Sequence, residues 1–104
     1  GIEMASQITV STRELNNKSQ SLQNSNNRLN QMIDQLRQQE VSLCSMWEGD
    51  AKDEFDKAFR SDIQQMKNFY EEIKNYIVRL NEIIKNYDQA EAKNVQIARE
   101  RKYR

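Results

Sequence analysis

Ser42-Leu43-Cys44-Ser45-Met46-Trp47-Glu48-Gly49-Asp50-Ala51 decides the fold, because it holds the only internal glycine of a proline-free chain of 104 residues. The sequence on both sides of it has helical spacing. Toward the amino terminus leucine recurs every seventh residue, at Leu15, Leu22, Leu29, Leu36 and Leu43, which is the seam of a packed helix. Four residues after each leucine stand Ser19, Asn26, Ile33, Glu40 and Trp47, a companion row that is polar early and apolar only toward its end. Asn26 in that row can fix register, although a solvated helix face is the commoner setting for an asparagine. Ser11 followed three residues later by Glu14 is a capping-box pattern that starts the helix.

Toward the carboxy terminus, apolar residues return at steps of three and four in three parallel rows. The first is Phe59, Met66, Ile73, Leu80 and Tyr87; the second is Phe69, Tyr76 and Ile83; the third is Ile63, Tyr70, Ile77 and Ile84. Gly49 supplies permissive backbone, and Asp50 is the expected cap of the second helix. The spacing predicts one helical-hairpin domain over residues 1–104. Helix 1 spans about 12–45, the turn 46–50 and helix 2 about 51–93, with a flexible basic tail over 94–104. Gly1-Ile2-Glu3 ahead of Met4 read as added residues, with Met4 the expected natural start. So short a turn makes the arms antiparallel.

The second arm's apolar stripe is wider than one narrow leucine seam can cover, and a wet remainder of that length is unusual in a soluble monomer. A second hairpin completing a four-helix bundle is therefore expected. At about 25 cal/mol per Å², even ~1,000 Å² of further burial is worth roughly 25 kcal/mol before ordering costs. The expected hairpin and dimer core is Leu15, Leu22, Leu29, Ile33, Leu36, Leu43, Phe59, Ile63, Met66, Phe69, Ile73, Ile77, Leu80 and Ile84.

Composition narrows function mainly by exclusion. Lys and Arg total 16 and Asp and Glu 16, so the net charge is zero, which argues against a dedicated nucleic-acid binder. Mean hydropathy is −1.01, and there is no apolar run of spanning or signal-peptide length, so stable membrane insertion is not expected. The segment Lys93–Arg104 is net +4, which fits cations near a helix C-terminus better than lipid binding. With no histidine and one cysteine, histidine-based catalysis, His-containing zinc sites and internal disulfides cannot be built. Carboxylate pairs such as Asp53/Glu54 and Glu71/Glu72 read as solvated helix faces. No catalytic residue, metal or cofactor is expected. Cys44 reads as a small filler, with a disulfide across a dimer as the alternative.

Trp47-Glu48-Gly49 at the centre of a chain this long, followed forty residues later by Tyr87-Asp88-Gln89-Ala90-Glu91, resembles the WXG family of small, early-secreted-antigen-like proteins exported by type VII secretion. The resemblance covers essentially the whole chain from Met4. It implies a dimeric hairpin cargo of Gram-positive type bacteria, made in the cytoplasm and exported without a cleaved signal peptide through a machine driven by an FtsK-like ATPase. The family's Y-x-x-x-D/E export motif falls on Tyr87 and Glu91, though Tyr87 also continues the Phe59 to Leu80 row. In relatives the turn motif of one subunit lies near the tail motif of its partner. A polar first-arm seam fits either a homodimer or a heterodimer with a more apolar WXG paralogue. Two other readings are a cytoplasmic coiled-coil adaptor and a membrane-active helical protein.

Overall fold

The computed structural model describes residues 11–102. The expectations for Gly1–Glu3 and Met4, and for the last two residues of the tail, lie outside the described residues. The fold is all-α, a helix-turn-helix hairpin with no strand among the described residues: α1 spans Thr12–Ser45 and α2 spans Asp50–Lys102.

Ser11 is the N-cap of α1. Its carbonyl accepts from Leu15 N at 3.0 Å and its hydroxyl from Glu14 N at 3.3 Å, satisfying amides that the first turn would leave open. The cap of α2 differs from the sequence expectation. Gly49 O accepts from Asp53 N at 3.3 Å, so Gly49 is the cap and Asp50 the first helical residue. There its carboxylate faces the positive end of the helix dipole, with Asp53 beside it in the same turn. Residues 94–102 were expected in a flexible tail but continue α2, because nothing from Asp50 to Lys102 is a glycine or proline that would stop the helix.

The molecule divides into two compact units, Gln23–Tyr76 around the turn and Gly1–Leu22 with Ile77–Arg104 around the chain ends. In the turn unit Asn26, Ile33 and Glu40 are buried on α1, and Ile63 is buried on α2. Asn26 Nδ2 donates to the Tyr70 carbonyl at 3.1 Å. Moving seven residues on along α1 and seven back along α2, this register places Ile33 opposite Ile63, and seven more brings Glu40 to Asp56. Lys67 Nζ reaches back to Asn30 Oδ1 at 2.6 Å and Asp34 Oδ1 at 2.8 Å. In the end unit Ser19, Ile77 and Ile84 are buried, and Ser19 Oγ donates to Asn81 Oδ1 at 2.6 Å.

The row that α1 turns inward is thus Ser19, Asn26, Ile33 and Glu40, not the leucines. Asn26, whose commoner setting is a solvated face, is only 4% exposed. Leu15 and Leu29 are half-buried, whereas Leu22, Leu36 and Leu43 are exposed. On α2, Phe59, Ile73 and Leu80 are half-buried, and Met66 and Phe69 are exposed. Small and polar residues on the inner row let the helices approach, and the hydrogen bonds of Ser19 and Asn26 offset part of the lost water. The leucines remain beside that contact with part of their surface wet.

Candidate functional site

The turn is built around Trp47, Glu48 and Gly49. The end of α1 is closed by Met46 N and Trp47 N, which donate to the carbonyls of Leu43 at 3.1 Å and Cys44 at 3.3 Å. Gly49 has φ +114°, a backbone conformation that disfavours any residue carrying a Cβ. A Cβ there would meet nothing within 4 Å, so conformation and not space dictates glycine. Trp47 is 38% exposed and lies against Phe55, with ring centroids 5.7 Å apart. Phe55 continues to Phe59 at 5.8 Å. These tilted rings staple the turn to the first three turns of α2, while Glu48 faces solvent.

Tyr87 and Glu91 both lie on α2 in the end unit. Tyr87 is 51% exposed and Glu91 is exposed. A separation of four residues on a helix puts them on one face, and Ile83, Asn86, Tyr87 and Ala90 line a shallow groove there. In this chain the ring of Tyr87 is not enclosed. The phenol and the carboxylate are both open to a partner.

Each unit also exposes large apolar side chains. In the turn unit these include Met32, Leu36, Leu43, Phe69 and Tyr76; in the end unit they include Leu22, Val78 and Ile83. No helix among the described residues is long and apolar enough to cross a membrane.

One cluster was missed from the sequence. Glu40, Cys44 and Asp56 bring one ligand atom each to within 4.8 Å of the others. Cys44 Sγ donates to Glu40 Oε1 at 3.1 Å, and Arg60 Nε donates to Asp56 Oδ1 at 3.0 Å. The hydrogen bond to Glu40 pushes the Cys44 thiol up from its ordinary value, helped by burial and by the Glu40 and Asp56 charges, against Lys52. The adjoining Glu40 side chain, then Arg60 and Lys52, hold the Asp56 carboxyl below its usual range, against burial. Glu40 Oε2 is buried with no hydrogen-bond partner. Only the spacing of Glu40 and Cys44, one helical turn apart, was a signal available in sequence. Asp56 joins them solely through the register of the hairpin.

A family model described as WXG100, proteins of 100 residues with WXG, matches residues 7–92. No curated protein and no solved structure matches the chain.

Proposed function

The chain belongs to the WXG100 family, small helical proteins of the type VII secretion kind, and from that premise we propose that it is a secreted substrate of a bacterial type VII system. It works as a dimeric hairpin by protein-protein contact, either as an effector or as an escort for a larger cargo, and not as a catalyst. The observation that carries this reading is a Trp47-Glu48-Gly49 turn in a chain whose Tyr87 and Glu91 are exposed on one helix face. An aromatic ring and a carboxylate one turn apart form a compact signal that an FtsK-like secretion ATPase can recognise.

The exposed apolar flanks support dimerisation. Leu43, a member of the leucine row, is 48% exposed although the heptad spacing reserves it for packing. A second copy, or a WXG paralogue, that buries this row and Phe69 completes a four-helix bundle. The experiment is secretion of the wild type against Glu91→Ala and Tyr87→Ala in a bacterium with a type VII system. Both variants are expected to stay in the cell with unchanged helicity and melting temperature. Undiminished secretion of both would remove the motif from the signal, and a wild type retained in the cell would favour the cytoplasmic adaptor reading.

A further inference from the structure

Glu40, Cys44 and Asp56 bring a thiol and two carboxyls together inside the turn unit, and neither the export motif nor the apolar flank uses them. Glu40 is 3% exposed, and its Oε2 is enclosed beside these two groups with no hydrogen-bond partner. A carboxylate oxygen removed from water and left unpaired is unfavourable, and a second carboxylate facing it makes matters worse. Arg60 Nε engages Asp56 Oδ1 and Lys52 lies near Asp56 and Cys44, but neither is hydrogen-bonded to Glu40 Oε2. A cation seated between the three groups would satisfy Oε2 and separate the two carboxylates.

We propose that Glu40, Cys44 and Asp56 form a binding site for a borderline-soft divalent cation, of which zinc fits the donor set best. One thiolate and two carboxylates suit zinc, while magnesium and calcium favour sites made wholly of oxygen ligands. Ligand atoms around a tetrahedral zinc lie roughly 3.5 Å apart. Atoms already within 4.8 Å of one another, with Sγ and Oε1 at 3.1 Å, reach that arrangement by small side-chain rotations. Cys44 and Asp56 are only half-buried, which gives the ion a path in and leaves a fourth position for water. On binding, the Cys44 S–H bond breaks, its proton passes to solvent, and sulfur bonds to the metal. Arg60 holds Asp56 in place, as an outer-shell partner does, and offsets part of the ligands' negative charge. The chain has no histidine to compete for the ion. Once seated, the ion ties the last turns of α1 to the first turns of α2.

The test titrates the full, reduced chain with Cd²⁺, read by its thiolate-to-metal charge-transfer absorption, followed by displacement with Zn²⁺. The expected result is saturation at one ion per chain, displacement by Zn²⁺, and a higher melting temperature with Zn²⁺. The band is lost in Cys44→Ser, and affinity falls at least tenfold in Glu40→Gln. Without metal Glu40→Gln should melt no lower than the wild type, so its weaker binding is not unfolding. If it folds poorly, Asp56→Asn with retained far-UV helicity takes its place. Absence of saturable binding overturns the site, as does wild-type affinity in the carboxylate variants, which would mean that the ion is held by the thiol alone.

Discussion

The side-chain amide of Asn26 donates to the backbone carbonyl of Tyr70 at 3.1 Å, so α1 reads the main chain of α2 at a buried point. The same amide leaves Oδ1 buried and without a partner. The contact therefore fixes register more than it stabilises. Asn26→Leu removes the orphaned oxygen and adds apolar burial, and the expected gain is about 1–2 kcal/mol. Thermal melting measures the gain, and size-exclusion profiles should broaden as the register loosens. A lower melting temperature would mean that the Tyr70 contact outweighs the orphan.

Ile33 and Leu36 separate hairpin packing from dimer packing. Ile33 is 1% exposed in the single chain, and Ile33→Ala should cost about 2–4 kcal/mol at every protein concentration. Leu36 is exposed, so Leu36→Asp should leave the hairpin helical while lowering the solution mass of the proposed dimer toward 12.4 kDa. Light scattering across a concentration series checks this. A dimer that survives Leu36→Asp must be joined through another face.

Gly49 tests backbone alone. Because a Cβ would meet nothing, any effect of Gly49→Ala comes from the positive φ, and the expected loss is about 1–2 kcal/mol. A neutral melt would show that the turn relaxes to negative φ without disturbing Trp47.

Lys67 bridges Asn30 and Asp34 from the opposite helix at a partly exposed position. Lys67→Met should cost under about 1 kcal/mol, and the difference should shrink in high salt, since screening removes the ionic part of the bridge. Urea unfolding at two ionic strengths measures it.

The helices, the turn and the Ser11 cap were legible because periodicity and capping chemistry are local. Which row of α1 faces inward was not. Hydropathy favours Leu22, Leu36 and Leu43, yet Ser19, Asn26 and Glu40 take the interior, since their partners Asn81, Tyr70 and the Cys44–Asp56 group stand on other turns or on the opposite helix. A leucine seam reserved for a second chain and one used within the hairpin have the same spacing. The same locality hides Asp56, for its cluster partners Glu40 and Cys44 stand on the other helix.

Trp47 separates what holds the turn from what a receptor can read there. Its ring lies against Phe55, but much of it remains wet, so truncation forfeits one tilted ring contact and part of an apolar surface. Trp47→Ala should therefore lower stability by only about 1 kcal/mol. If the exposed face of the indole belongs to the export signal, secretion falls far more than that small loss explains, and Trp47→Phe, which keeps a ring against Phe55, should recover the melting temperature without full export. Secretion that simply tracks the melting temperature across the two variants would leave Trp47 as a packing residue of the turn.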